Sequence, residues 1–311
     1  MKKMLALLLA LVMVLSLAAC ASSQPAAAST ETAETTEAAE PAAEESAEAP
    51  AESGKTYTVG VCQLVQHEAL DAATQGFVDA LKEELGDAVT VDVQNASGDS
   101  VNCGTIVNGF VSKGVDLIMA NATPALTAAV SATADIPILG TSITAYGVAL
   151  DIDDFNGTVG GNVSGTSDLA DLQAQAQMIL DWFPETKTVG LLFCSAEPNS
   201  RYQIDEVRKA LEAQGVTCEE FAFTDSNDVS SVTQKAADFS DVVYIPTDNT
   251  AASNTEAIAN VLIPAGVPAV CGEEGLCRGC GVATLSISYY DLGVTTGKMA
   301  AKILTGEADI S

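Results

Sequence analysis

From Thr56 onward the chain alternates short apolar runs with longer stretches whose apolar residues recur at helical spacing. "YTVGVCQ" reads as a strand. "ALDAATQGFVDALKEEL" then sets Leu70, Ala73, Phe77 and Leu81 on one helical face, with Gly86 as the stop. "VTVDVQNA" alternates as a strand does. Ile106, Val107, Phe110 and Val111 form the next helix face, ended by Gly114. "VDLIMANA" is a buried strand, "TPALTAAVSATA" a helix and "IPILGTSI" a strand. Such a βα repeat predicts a parallel sheet covered by helices on both sides. The pattern breaks at "DIDDFNGTVGGNVSGTSD", which is polar and Gly-rich and reads as a crossover. A second series follows. Helices around 171–182, 200–213, 228–238 and 251–262 alternate with strands "TVGLLFCS", "CEEFAFT", "DVVYIPT" and "PAVCG". "VATLSIS" and "DLGVTTGKMAAKIL" add one more strand and helix. The expected architecture is two similar open α/β lobes in tandem.

The first 54 residues follow different rules. Lys2 and Lys3 precede a run, residues 4–17, that is apolar apart from Ser16. That run falls short of the roughly 20 residues a membrane span needs, and it ends in small residues, as a secretory signal does. Leu17-Ala18-Ala19-Cys20 resembles the bacterial lipobox. That resemblance implies removal of a signal peptide at 1–19 and a diacylglycerol on Cys20, against the plainer reading of a signal that happens to contain a cysteine. Residues 21–54 are nearly all Ala, Ser, Thr, Glu and Pro. They cannot bury enough apolar surface to offset chain entropy, so 20–54 is expected to be a disordered tether.

The formal net charge is −29. Nucleic-acid binding is disfavoured, because phosphate contacts need clustered Lys and Arg. Of the eight cysteines, one is Cys20 and seven remain. Cys62, Cys194 and Cys271 sit at or near strand ends, where cysteine serves as a small hydrophobe. Cys277-Arg-Gly-Cys280 is a C-x2-C pair with Cys271 as one candidate partner. A zinc knuckle needs four ligands, and His67 is the chain's one nitrogen donor of that type. No metal or cofactor is expected, and a loop disulfide or free thiols fit better. The chain lacks a phosphate-loop lysine motif, a G-x-S-x-G elbow and an H-E-x-x-H helix, so an enzyme is not expected.

"VGVCQLVQHEALDAATQGFVDALKE", "GGNVSGTSD", "TVGLLFCSAEPNS", "VVYIPTDNT" and "SISYYDLGVTTGKMAAKIL" lie in both lobes and in one order. Together they resemble the ABC-transporter substrate-binding lipoproteins of the tryptophan/tyrosine-type family, over residues 56–308. The resemblance implies a type I periplasmic-binding-protein fold: two Rossmann-like lobes with parallel sheets, joined by crossover strands, with a ligand cleft between them. It also implies hinge closure, a small polar ligand of amino-acid type with aromatic side chains favoured, ABC permease subunits as partners, and a place outside the cytoplasm, tethered to the membrane through Cys20. The last element returns to the first lobe in this fold. The lobes are therefore expected at 55–164 plus 283–311 and at 165–282. The cysteines at 62, 194, 271, 277 and 280 are not part of the family pattern. The fold normally continues beyond a helix such as "TTGKMAAKILTG", so a truncation after Ser311 is expected.

In open α/β sheets ligands bind beyond the carboxyl ends of the strands, beside helix N-termini. The candidate loops are 63–68, 121–124, 141–146, 195–200, 247–250, 273–276 and 286–290. Gln63 and His67 lie in the first, Thr123 in the second, and Thr141 and Ser142 in the third. Asn199 and Ser200 open one helix, where capping and ligand contact can coexist. Thr247, Asp248 and Asn249 follow one strand, and Glu273 and Glu274 another. Ser167 and Asp168 sit in the crossover, and Tyr289 follows the last strand. Asp248 and at least one of Glu273 and Glu274 are expected to hold a ligand ammonium, against a plain role as helix caps. Gly160, Gly161 and Gly165 are expected to ease the hinge. Trp182 and Phe183 are expected in the core. Few aromatics at the cleft speak against sugar stacking. A membrane-tethered ligand sensor, or a sugar- or nucleoside-type binder of the same fold, are the alternatives.

Overall fold

The computed structural model describes residues 55–310. The expected signal at 1–19, the expected lipidation of Cys20 and the expected tether at 20–54 lie outside the described residues. The first lobe runs β1 (Tyr57–Gln63), α1 (Glu68–Leu85), β2 (Val89–Asn95), α2 (Ser100–Lys113), β3 (Leu117–Asn121), α3 (Thr123–Ala132), β4 (Ile138–Ile143), α4 (Tyr146–Ala149) and β5 (Val163–Ser167). The second runs α5 (Leu172–Trp182), β6 (Thr188–Cys194), α6 (Pro198–Glu212), β7 (Thr217–Phe223), α7 (Val229–Phe239), β8 (Val242–Ile245), α8 (Asn249–Ala252), α9 (Thr255–Ala265), β9 (Ala269–Cys271), α10 (Glu274–Cys280) and β10 (Ala283–Thr284). A last helix, α11 (Tyr289–Thr305), returns to the first lobe and lies along α1.

Both sheets are parallel and wound alike. Their orders are β2-β1-β3-β4-β5 and β7-β6-β8-β9-β10. In each, the order reverses beside the lobe's first strand, which opens a crevice at the strands' carboxyl ends. Every residue of β3, β4, β8 and β9 is buried. Strands covered on both faces read as unbroken apolar runs, which is why these were legible. Phe110, Ile118 and Leu126 pack on one side of the first sheet, and Val59, Phe77, Met119 and Leu304 on the other. The second sheet is sandwiched in the same way, with Phe223, Ile245 and Leu262 opposite Phe193, Ile204 and Tyr244.

The chain crosses between the lobes twice, after Ser167 and before Tyr289. Two boundaries therefore move from those expected. Gly165–Ser167 belong to the first sheet, paired with β4, and Ala283–Thr284 belong to the second, paired with β9. In the "VSGTS" of β5 Val163 is buried, the next three residues are partly buried and Ser167 is exposed, so it carries no apolar run to announce it. Gly160, Gly161 and Gly165 lie in and just before β5, ahead of the first crossing. Trp182 is 60% exposed at the end of α5, and it is Phe183 that packs on the core. α5 ends at Trp182, and its ring is left facing solvent.

α1 and α11 approach so closely that the glycines of their contact leave no room for a side chain. A Cβ on Gly293 would overlap the carbonyl of Ala73, and one on Gly76 would overlap the carbonyl of Tyr290. Small residues at a helix crossing let the two backbones meet.

Candidate functional site

Where the two lobes face each other, a small cavity is lined from both sides. His67, Ala69 and Leu70 come from the start of α1, and Ser142 and Thr144 from the end of β4. Asn199, Thr247, Asp248, Asn249, Ala252 and Glu273 come from the second lobe. Asp168 and Tyr289 stand at the two crossings. The space that admits the centre of a water-sized sphere is about 10 Å³. That is of the order of one water. A larger ligand enters only if the lobes part and the side chains re-pack.

The second lobe's carboxylates are already engaged. Asp248 is the N-cap of α8, its Oδ1 accepting from Ala251 N at 2.8 Å, while its Oδ2 accepts from Cys194 N at 2.6 Å. Its pKa is pushed up to about 8 by burial and by the nearby charge of Glu197. Glu273 caps α10 by accepting from Gly275 N at 2.6 Å and from Leu276 N. Burial raises its pKa too. Glu274 lies on the surface, paired with Arg278 at 3.1 Å. Of the three carboxylates expected to hold an ammonium, Asp248 and Glu273 line the cavity and Glu274 does not. Each oxygen of the two buried carboxylates accepts one backbone N–H, which ties both groups to helix starts, and Glu274 is on the surface.

Asp248→Ala is expected to act mainly on stability. It removes an N-cap and leaves the buried Cys194 N–H without its acceptor. Caps contribute about 1 kcal/mol, and an unsatisfied buried donor costs about 1–3 kcal/mol more. A melting curve beside a calorimetric titration checks this. A large affinity loss at unchanged melting point would contradict it.

The first lobe and the crossings are different. Asp168 is buried, and its Oδ2 accepts from the Tyr289 hydroxyl at 2.8 Å. Its Oδ1 has no partner. Burial raises its pKa. Asn199 Oδ1, Ser142 Oγ and His67 Nδ1 are likewise buried and unpartnered. Among the described residues, four of the unpartnered buried side-chain atoms thus belong to this one cavity. Native interiors leave few such groups, and each calls for an explanation. Ser142 adds backbone strain, with φ of 56° in the left-handed region that disfavours a non-glycine residue. The start of α1 is also open. His67 is its N-cap but makes no side-chain capping bond. The first N–H groups of an 18-residue helix therefore lack a cap beside the cavity.

Of the other candidates, Ser200 is buried beside the site and accepts from Asn199 Nδ2 at 3.3 Å. Gln63 is tied into the first lobe through Asp71 and Thr74. Thr141 bonds Thr166, and Ser167 Oγ donates to Thr144 O. Thr123 opens α3 and lines a separate surface groove. None of these five lines the cavity. Tyr289 is buried, whereas Tyr290 is half-exposed and donates to Asp79. Sequence reasoning missed Ala69, Leu70, Thr144, Ala252 and, behind the cavity, Glu197.

Two bonds join the lobes near the cavity. His67 Nε2 meets Asn249 Oδ1 at 3.2 Å, and Arg278 pairs with Glu68 at 2.8 Å. The ion pair is largely exposed and contributes about 0–1 kcal/mol, too little to hold the lobes shut alone.

The seven described cysteines are free thiols. Cys277 and Cys280 lie on α10, and Cys280 Sγ donates to Leu276 O at 3.3 Å. Among the described residues no cluster of three or more His, Cys, Asp or Glu is disposed to hold a metal.

The family model described as ABC transporter substrate binding protein matches residues 58–310 of the chain. The chain belongs to the ABC transporter substrate-binding protein family. A tyrosine-binding protein of Clostridioides difficile (strain R20291) is 32% identical over 263 residues, covering 83% of this chain and 75% of the relative. Among solved structures, an ABC domain in complex with L-Trp from Streptococcus pneumoniae is 34% identical with a TM-score of 0.77, covering 81% of this chain and 85% of that one. The ligand-free, open structure of a substrate-binding protein with adhesive properties from Clostridium difficile is also 34% identical, but its TM-score is 0.60, over 82% and 87% of the two chains. At equal identity, this member of the family superposes better on the ligand complex than on the open form.

Proposed function

We propose that this substrate-binding protein captures an L-α-amino acid with an aromatic side chain, outside the cytoplasm, and hands it to the permease of an ABC importer. The observation that carries the reading is the set of unpartnered polar atoms around one inter-lobe cavity. Asp168 Oδ1 and Asn199 Oδ1 are acceptors suited to an ammonium, and Asp168 supplies the counter-charge. The uncapped start of α1, with Ser142 Oγ, supplies donors and a positive dipole end for the α-carboxylate. Ala69, Leu70, Ala252 and the ring of Tyr289 give the apolar wall. The tyrosine-binding relative and the L-Trp complex support the aromatic choice.

Ligand capture works by population shift. The ligand must bind the closed arrangement better than the open one, and here its two charged ends engage groups from both lobes. Calorimetric titration of protein stripped by unfolding and refolding tests the reading. L-tryptophan or L-tyrosine should bind saturably, and L-rhamnose should not. Saturable binding of the sugar, or of neither aromatic amino acid, would overturn it.

Delivery to a permease requires that the protein stay near the membrane, and we assign that task to lipid on Cys20. Cys20→Ser is expected to move the protein from the membrane fraction to the soluble one. Labelled-lipid uptake by the natural chain, lost in the variant, is the companion measurement. A variant that stays with membranes would contradict the anchor.

A further inference from the structure

Glu197 sits just behind the cavity, at the N-cap of α6, and is buried. Its carboxylate accepts five hydrogen bonds. Oε1 takes Thr250 N at 2.9 Å and Thr250 Oγ1 at 2.8 Å. Oε2 takes Asn249 N at 3.0 Å, Asn249 Nδ2 at 2.7 Å and Asn199 Nδ2 at 3.1 Å. A carboxylate of this kind accepts only, so both asparagines must turn their NH₂ towards it and their oxygens away. Asn199 Oδ1 is thereby left as a bare buried acceptor at the cavity. Asn249 Oδ1 is turned to His67 Nε2, 3.2 Å away. An amide oxygen cannot donate, so the ring proton lies on Nε2, and Nδ1 is a second bare acceptor.

We infer that Glu197 is a specificity-determining positioning residue: it orients the amides of Asn199 and Asn249, and through Asn249 the His67 ring, so that Asn199 and His67 offer acceptors to the ligand. With Asp168 Oδ1 this makes three bare acceptors, the number that an ammonium's three N–H groups require. The inference rests on the amino-acid reading above and names the part of the site that selects the charged amine. Burial also lowers the His67 pKa, which keeps the ring neutral and Nδ1 free to accept.

His67 is the chain's single histidine, so its imidazole nitrogens are an unambiguous reporter in ¹⁵N-labelled protein carrying no polyhistidine tag. The natural chain should show a protonated Nε2 and an unprotonated Nδ1. Asn249→Ala keeps Glu197 and the backbone N–H of residue 249, yet removes the oxygen that fixes the ring. It should give mixed tautomers. Glu197→Ala should do the same and should lower affinity for L-tryptophan about tenfold to a hundredfold more than affinity for its deaminated analogue, indole-3-propionate. Glu197→Gln can keep an oxygen towards the two asparagines and should restore both signatures, although it perturbs the Thr250 cap. A role limited to capping α8 would lower the melting point in both Glu197 variants without moving the tautomer. A natural chain with Nδ1 protonated, or an unchanged tautomer in Asn249→Ala, would overturn the inference. Should the tautomer switch as expected while no aromatic amino acid binds, the relay stands and the amino-acid reading falls. Aromatic amino-acid binding with an unmoved tautomer would leave that reading in place and overturn the relay.

Discussion

Asp168→Asn is expected to abolish most amino-acid affinity without lowering the melting point. In the free protein the Asp168 carboxyl is buried, one oxygen satisfied by Tyr289 and the other by nothing. Burying a polar oxygen without a partner costs stability, so neutralising the group relieves that cost. Asparagine keeps the oxygen that Tyr289 needs. With ligand bound, the balance reverses. The ammonium loses its counter-charge and can meet an NH₂ where it needs an acceptor. Truncating one member of a desolvated charge pair costs about 2–5 kcal/mol, or roughly 30- to several-thousand-fold in affinity. Calorimetry reads the affinity and a melting curve reads the stability. A variant that binds like the natural chain would remove Asp168 from the site, and a variant that loses stability and affinity together would mark it as structural.

The same carboxyl gives a pH dependence with a definite sign. Burial raises its pKa in the free protein. A bound ammonium favours the charged form and lowers it again. Between those two values, binding releases a proton, so affinity falls as pH is lowered through the window. In Asp168→Asn that slope should vanish.

The chain announces the alternation of strand and helix clearly, because central strands of a parallel sheet are buried on both faces and must be apolar throughout. Where burial is partial, the signal fades. β5 is "VSGTS", and nothing in those five letters distinguishes a fifth strand from a polar connection. "VATLSIS" has the letters of a full strand, yet only Ala283–Thr284 pair, and the rest carries the chain back between the lobes. The candidate loops were legible for a topological reason, since ligands gather at the carboxyl ends of such strands. Which carboxylate is free to meet a ligand was not legible. Asp248 and Asp168 both follow strands, but Asp248 is engaged by Cys194 N, 54 residues away in sequence. Glu197 lies in the candidate loop 195–200, but nothing in "SAEPNS" marks it for burial. Its burial follows from donors on Asn249 and Thr250, more than fifty residues further on. Hydrogen bonds of that range leave no local pattern.

Gly293→Leu is expected to damage both the fold and the site, although it sits well inside a helix where glycine is a poor choice. Replacing a helical glycine gains about 1 kcal/mol in helix propensity. The gain is available only if the side chain has somewhere to go. At Gly293 the first carbon already overlaps the Ala73 carbonyl, which is backbone of α1 and cannot swing aside. Overpacking of a tight contact costs about 1–3 kcal/mol and sometimes more, so the net effect is destabilising. The damage then travels along α11. Tyr289 is its first residue, and the hydroxyl of Tyr289 holds Asp168 at 2.8 Å. Pushing α11 off α1 moves that hydroxyl and the second crossing with it. Chemical denaturation should show a lower midpoint, and titration at a temperature where the variant is still folded should show weaker binding. Gly306→Ala is the control on the same helix. It lies at the far C-cap with open space around it, so its cost is confined to the positive φ of 79°. Its affinity should match that of the natural chain. If Gly293→Leu instead binds as well as the control, α11 is only a structural strut and the path from the glycine contact to the ligand is broken.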